Sequence, residues 1–124
     1  MKKKAEYQVS ASVNDEILEI ILTGEESDIT SERMRKEIDN IIIASNIKNV
    51  LIDVRVLRGR LSISGTYERV RNHAPEINHV KLAVLDLPEN AEYQKFHENT
   101  ACNAGLSLKW FTDINAARTW LKNK

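Results

Sequence analysis

The feature that most constrains the fold of this chain is a run of almost uninterrupted apolar residues near its centre. Val50 to Val54 has the sequence Val-Leu-Ile-Asp-Val, and Val80 to Leu85 is a second such run, interrupted only by Lys81. A strand with one face in water alternates apolar and polar side chains, whereas a strand covered on both faces is apolar nearly throughout. These two runs therefore predict central strands of a parallel sheet with other elements packed against it.

The residues around these strands predict the remaining elements. Tyr7 to Val13 alternates apolar and polar, and a turn signal at Asn14 and Asp15 joins it to the β-rich run Glu16 to Thr23, which predicts a hairpin. A last strand is predicted over Leu106 to Trp110. Four groups of apolar or small side chains at helical spacing predict four helices: Met34, Ile38, Ile41 and Ile42; Ile63, Tyr67, Val70 and Ala74; Tyr93, Phe96, Thr100 and Ala101; and Ala117, Trp120 and Leu121. The predicted α/β fold has the order ββαβαβαβα, with a mixed, mostly parallel five-stranded sheet packed with four helices.

Composition bounds the class of protein. The 124 residues, 42% apolar and 29% charged, fit a single globular domain over 1–124. Eighteen basic and eighteen acidic side chains cancel, so the charge gives no argument for nucleic acid or an anionic membrane as a partner. No apolar run is long enough to span a bilayer, and the single Cys102 cannot form an internal disulfide. We expect a cytoplasmic protein.

The predicted topology raises a question about one face of the sheet. Parallel crossovers are right-handed, so strands laid down in simple order would place all the helices on the same face. The middle strands are nevertheless apolar on both sides. Either the topology changes direction or another chain covers the second face, and the zero net charge would not oppose a homodimer.

No catalytic or cofactor-binding constellation is found. The four glycines are scattered and form neither a P-loop nor a dinucleotide-binding motif. His73, Glu76 and His79 are spaced like metal ligands, but Pro75 interrupts the helix that would align them. Cys102 has no activating neighbour in the sequence. We expect a protein that is not an enzyme and holds neither metal nor cofactor.

The one local concentration of charge is the loop from Arg55 to Arg60. Arg55, Arg58 and Arg60 follow the Asp53 strand and precede a helix, whose N-terminus favours anions. They are candidates, with Asp53, for binding an anion or a protein partner, and a solvated loop is the alternative. Asp86, after the next strand, is expected to bond the first N–H groups of the third helix.

This loop and the end of the chain resemble the SpoIIAA-like branch of the STAS superfamily, the anti-sigma-factor antagonists and their relatives. The matching segments are Val50 to Val54 with the arginine loop, Val80 to Asp86, and Asn103 to Leu121. The resemblance implies a divergent member of that family, a non-catalytic regulatory or interaction module whose partner is a protein.

The resemblance also implies a phosphorylated serine at the start of the second helix. In true antagonists this serine lies nine residues after the strand aspartate, and counting from Asp53 leads to Ser62. The family pattern is Asp-Ser-x-Gly, whereas here Leu61 replaces the aspartate and Gly65 comes one residue late. Ser64 is therefore an alternative phosphorylation site.

The same fold group is similar to the Sec14-type lipid-binding domains. This similarity implies an alternative function, in which a pocket between the helices and the sheet accepts an apolar ligand. Its lining would include Tyr67, Tyr93, Phe96 and Trp110, although aromatic residues at such spacing more often belong to an ordinary core.

Overall fold

Six strands and four helices make up the computed structural model, which describes residues 7–123. The strands are β1 (Tyr7–Asn14), β2 (Ile17–Glu25), β3 (Asn49–Asp53), β4 (Leu57–Arg58), β5 (Lys81–Leu85) and β6 (Ser107–Phe111). The helices are α1 (Ser31–Ser45), α2 (Ile63–Asn72), α3 (Ala91–Asn103) and α4 (Ile114–Lys122), and short 3-10 helices cover Pro75–His79 and Pro88–Asn90. None of the helices within 7–123 is both long and apolar enough to cross a membrane.

The five main strands lie side by side in the order β1-β2-β3-β5-β6. Strands β1 and β2 are antiparallel, and every other pair is parallel, which confirms the predicted mixed, mostly parallel sheet. The hairpin turn places Asp15 and Glu16 at φ values of 54° and 65°. A two-residue turn of this kind matches the right-handed twist of the two strands. The two-residue strand β4, which was not predicted, pairs with the end of β2 inside the arginine loop.

The larger core lies between one face of the sheet and helices α1, α2 and α3. Each of these helices presents one face of apolar side chains, which recur every three or four residues, to the sheet. These side chains pack against every second residue of the strands, because successive strand residues point to opposite faces. The most deeply buried members of this core are Ile20, Met34, Val50, Ile77, Leu82 and Ala101.

Helix α4 covers the other face of the sheet. Its Ala117 and Leu121 pack with Leu51, Ala83 and Leu85 in a second buried cluster. The strand order is simple, as one of the alternatives assumed, but the expectation that all helices would then share one face was wrong. Because no strand follows α4 within residues 7–123, the handedness of parallel crossovers does not constrain where it packs. No second chain is therefore needed to cover this face.

The cap of α4 agrees with the sequence, since Asp113 accepts a hydrogen bond from the main-chain N–H of Ala116 at 3.1 Å. Helix α2 ends at Asn72, before the Ala74–Pro75 step, as the restriction that proline places on the preceding residue requires. Its N-cap is Ser62, whose hydroxyl accepts from the main-chain N–H of Gly65. The first predicted phosphorylation site is thus also the residue that begins α2.

Truncation of Leu121 tests the packing of α4. Leu121→Ala removes a side chain that is 1% exposed, so it should lower the free energy of unfolding by about 2–5 kcal/mol, as measured by urea denaturation. Thr119→Ala, at an exposed position of the same helix, should change it by no more than about 0.5 kcal/mol. Equal effects of the two substitutions would show that α4 does not bury this face.

Candidate functional site

Three loops meet at the carboxyl ends of β2, β3 and β5, which is where open α/β sheets place their ligands. The loop after β2 is tied to the arginine loop by a hydrogen bond from the main-chain N–H of Glu26 to the carbonyl of Arg58, at 2.8 Å. The arginine loop is tied in turn to Asp86, after β5. Residues that are far apart in the sequence therefore form one continuous edge.

A buried ion pair holds two of these loops together. Arg60 Nη2 donates to both carboxylate oxygens of Asp86, at 2.9 and 2.8 Å. The same guanidinium donates to the carbonyls of Val54 and Leu57, at 3.2 and 2.9 Å. The side chains of Asp86 and Arg60 are 0% and 13% exposed. The charge of Arg60 is thus neutralised by Asp86 inside the protein. Asp86 also accepts a hydrogen bond from the main-chain N–H of Leu87.

The other charged residues of the arginine loop lie on the surface. Asp53 accepts from the Arg55 guanidinium at 3.1 and 2.8 Å and from its main-chain N–H at 3.0 Å. Burial raises the pKa of Asp53, but these hydrogen bonds and the charge of Arg55 outweigh burial and hold that pKa below its ordinary value. Arg58 is exposed, and its side chain has no hydrogen-bond or ion-pair partner within the described range 7–123.

Ser62 is bound to an aspartate that the sequence did not connect with it. Its Oγ donates to Asp28 Oδ2 at 2.6 Å and its main-chain N–H donates to Asp28 Oδ1 at 3.1 Å. These two hydrogen bonds to Ser62 lower the pKa of the Asp28 carboxyl. Gly65 makes the approach feasible, because a Cβ at that position would lie 2.3 Å from Asp28 Oδ1. Ser64 Oγ lies 3.3 Å from Ser62 Oγ, so both candidate serines share this site.

Exposed apolar side chains lie next to both members of the Ser62–Asp28 pair in the chain. Ile29, next to Asp28, is 90% exposed, and Ile63, next to Ser62, is 68% exposed. Tyr67, one turn further along α2, is 47% exposed, and Val56 in the arginine loop is 63% exposed. A polar groove of about 220 Å³ runs beside them between α1 and α2, and Ser64 contributes to its wall. The loops thus present polar and apolar surface together.

Beneath this surface lie two buried charged clusters that sequence analysis missed. Glu26 accepts from Arg69 at 2.6 Å, and both side chains are at most 10% exposed. Asp39 of α1 accepts from the main-chain N–H of Ala74 at 3.0 Å and lies 2.8 Å from His73 Nδ1. The only sequence signal for Asp39 is its place beside the apolar stripe of α1, and nothing in the sequence marks Glu26.

An interior cavity of about 60 Å³ lies between the sheet and helices α1, α2 and α3. Tyr93 and Trp110, two of the four aromatic residues expected to line a pocket, line it with their rings edge to face at 5.9 Å. Tyr67 and Phe96 are not among its lining residues and form a separate edge-to-face pair. The predicted aromatic group is therefore divided between the cavity and the surface.

The cavity wall also carries polar side chains. Arg60, Arg69 and His97 all line it. Burial, followed by the charges of Arg69 and His73, lowers the pKa of His97 to about 3, so its imidazole is neutral at physiological pH. Within residues 7–123, no three His, Cys, Asp or Glu side chains are grouped so as to hold a metal ion.

No family model matches the sequence, and no curated protein matches it. Solved structures do match, over nearly the whole chain. The crystal structure of an anti-sigma factor antagonist from Mycobacterium paratuberculosis has a TM-score of 0.64 at 11% identity, covering 94% of this chain and 95% of that one. An uncharacterised protein from Shewanella loihica PV-4, described as having a SpoIIAA-like fold, has a TM-score of 0.61 at 17% identity, covering 98% of both chains. The chain has the SpoIIAA-like fold.

A third match is the structure of the Bacillus cell fate determinant SpoIIAA in its phosphorylated form, with a TM-score of 0.52, 18% identity, and coverage of 92% of this chain and 98% of that one. The SpoIIAA-like fold agrees with the family that the sequence resembles. Identities this low establish the fold alone.

Removal of the Ser62 hydroxyl tests the contact with Asp28. Ser62→Ala should raise the pKa of Asp28 towards its ordinary value, because the hydroxyl hydrogen bond is the largest cause of its lowering. The bond is made to the charged carboxylate, so its contribution to folding stability is complete above the pKa that Asp28 has in the unfolded chain. It disappears as the pH falls through the lowered pKa of the folded state. Carboxyl ¹³C NMR titration measures the change.

Ser64→Ala is the control for this titration, because Ser64 contacts Ser62 and not Asp28. It should leave the pKa of Asp28 unchanged. An equal rise in both variants, or no rise with Ser62→Ala, would contradict the geometry of the pair.

A comparison of two aspartates tests the buried ion pair. Asp86→Asn leaves the Arg60 guanidinium buried without a counter-charge, which should cost about 3–5 kcal/mol of stability in urea denaturation. Asp53→Asn breaks a pair whose arginine is 42% exposed, and should cost about 1 kcal/mol or less. Similar losses for the two variants would contradict the structural role of Arg60.

Proposed function

We propose that this chain is a non-catalytic regulatory module that binds a protein partner through the surface around Ser62. The single observation that carries the proposal is the exposed apolar group next to the Ser62–Asp28 pair, above all Ile29 at 90% and Ile63 at 68% exposure. Exposed apolar surface that is bordered by polar residues often marks an interaction site. The SpoIIAA-like fold supports this proposal, because one of the matching structures is described as an anti-sigma factor antagonist.

Ser62 is suited to switch this surface on or off. Its hydroxyl donates to Asp28, whereas a phosphoserine would bring a charge of about −1.5 to −2 and only acceptor oxygens to the same place. Repulsion would then replace the hydrogen bond and displace the loop that carries Asp28 and Ile29. Phosphorylation at Ser62, or at the neighbouring Ser64, would therefore change the apolar surface directly.

The three arginines of the arginine loop would contribute to partner binding in different ways. Arg58, exposed and with no side-chain partner in the described part of the chain, is the residue that remains available to a partner or an anion. Arg55 is paired with Asp53 on the surface and could exchange that partner. Arg60 contributes by holding the loop in place through Asp86.

Two further features of the proposed module are its location and its assembly. The single cysteine agrees with a reducing cytoplasm, which is the location that we propose. We also propose a homodimer, but the second face of the sheet does not support it, because α4 packs on that face. Light scattering at high protein concentration decides it directly.

The alternative function, lipid binding of the Sec14 type, requires a larger interior. Pockets for ligands of drug size measure roughly 300–1,000 Å³. The cavity beside Tyr93 and Trp110 measures about 60 Å³. Its size favours a much smaller ligand than a lipid, so the surface around Ser62 is the better supported site.

Affinity capture with matched variants tests the proposed function. The wild-type chain should recover a specific protein from lysate of its own organism, and Ser62→Asp should reduce that recovery roughly tenfold by placing like charge beside Asp28. Ser107→Asp, an exposed serine at the other end of the sheet, should not reduce it. Quantitative mass spectrometry measures the recovery.

A second pair of variants separates the apolar surface from the serine. Ile63→Ser should lose the same protein, whereas Val13→Ser, an exposed apolar residue on β1 that lies before the hairpin turn, should retain it. Equal recovery by the wild type, Ser62→Asp and Ile63→Ser would overturn the proposal.

A further inference from the structure

Four buried side-chain nitrogens have no hydrogen-bond partner within residues 7–123, and all four belong to residues that line the interior cavity. They are Arg60 Nε, Arg69 Nε, His97 Nδ1 and Trp110 Nε1. A buried polar group without a partner destabilises the fold, because it has lost its hydrogen bonds to water. Four such groups around one cavity are unlike the scattered exceptions that native proteins tolerate.

The chemistry of these nitrogens specifies the partner that they require. The Nε–H of an arginine and the Nε1–H of a tryptophan are donors only. Arg60, Arg69 and Trp110 therefore all require an acceptor. The His97 ring can serve in either role, because a neutral imidazole has one donor and one acceptor nitrogen. A group with an oxygen that accepts several hydrogen bonds would match the set.

The charges around the cavity favour an uncharged molecule. Arg60 is paired with Asp86 and Arg69 with Glu26, so neither guanidinium has an uncompensated charge. A third arginine in the wall, Arg35, is paired with Asp39. An anion added to this balanced set would be buried without a counter-charge, which is strongly unfavourable. A neutral acceptor would have no such cost.

Most of the remaining lining residues are aliphatic. The donors come from the arginine loop, α2, α3 and β6, whereas α1, the 3-10 helix over Pro75–His79 and the central strands contribute aliphatic side chains. They include Ile38 and Ile42 of α1, Ile77 of the 3-10 helix, and Ile52 and Val84 of the central strands. At about 60 Å³ the cavity has space for roughly four water molecules, which limits a ligand to a few non-hydrogen atoms.

Access to the cavity can be traced to two side chains. Arg35 and Arg69 line both the cavity and the polar groove between α1 and α2. They therefore lie between the interior and the surface, where Arg35 is paired with Asp39, and Arg69 is paired with Glu26 and also donates to the carbonyl of Ser31.

We propose that this cavity is a binding site for a small, uncharged carbonyl compound, whose oxygen accepts hydrogen bonds from Arg60, Arg69 and Trp110 and whose short aliphatic part packs against the α1 side of the cavity. The site is separate from the surface around Ser62 and requires no protein partner.

Three probes of nearly equal size and shape test this proposal on the full chain. Butanone is the neutral carbonyl compound, propionate carries a negative charge, and 2-methyl-1-butene replaces the carbonyl oxygen with a methylene group. Butanone should bind saturably, in the micromolar to millimolar range expected of so small a ligand. Propionate and 2-methyl-1-butene should each bind at least tenfold more weakly.

The two tryptophans provide one NMR signal that should change on binding and one that should not. Titration with butanone, followed by ¹H–¹⁵N NMR, should shift the indole N–H signal of Trp110 downfield as it gains an acceptor. Trp120, which contacts Phe111 on the α4 side of the sheet, should keep its signal unchanged. Aliphatic methyl signals give a second measurement that does not depend on the indole.

Trp110→Phe keeps most of the ring volume and removes the donor, so it should weaken butanone binding roughly three- to tenfold. Trp120→Phe is the matched control and should leave the affinity unchanged, with thermal unfolding used to confirm that both variants are folded.

Propionate binding as tightly as butanone would overturn the assignment of a neutral ligand. Equal binding of 2-methyl-1-butene would overturn the role of the donors. The absence of saturable butanone binding, with water alone at the four nitrogens in a crystal structure grown with butanone, would overturn the site itself.

Discussion

The buried pair of Arg60 and Asp86 is the constraint on which the functional edge of this protein depends. Asp86 follows β5 and Arg60 lies at the end of the arginine loop, so their contact joins two loops that are 26 residues apart. The guanidinium also binds the carbonyl of Val54 at the end of β3. A charge buried in this way needs a counter-charge and hydrogen-bond acceptors, and the path of the backbone supplies them. The path places Ser62, two residues after Arg60, at the start of α2.

Helix α2 then connects the surface of the module with its interior. Its first turn carries Ser62 and Ile63 on the outside, and Arg69 reaches the buried Glu26 on the inside. Glu26 itself is two residues before Asp28, the partner of Ser62. The exposed pair and the buried pair therefore involve the same two segments of chain. A displacement of the loop after β2 would be transmitted to both.

The sequence predicted the regular elements well because their physical signals are local. The apolar runs that predict the central strands coincide with β3 and β5 to within a residue, since burial on both faces favours apolar side chains there. Asp113, a residue type that favours the N-cap position, caps the last helix. The candidate site was predicted less completely. The count from Asp53 reached Ser62, but the arginines could not be divided into buried and exposed without knowing which carboxylates they meet.

The amino-acid sequence by itself determined the number, type and order of the main elements, and the SpoIIAA-like fold that this order implies. Periodicity and capping operate within one element, so they can be recognised without knowledge of the remainder of the chain. Only the tertiary structure decided that α4 covers the second face of the sheet, that Asp28 binds Ser62, and that four nitrogens surround one cavity. Each of these depends on residues many positions apart, and pairing over such distances is set by how the elements pack together.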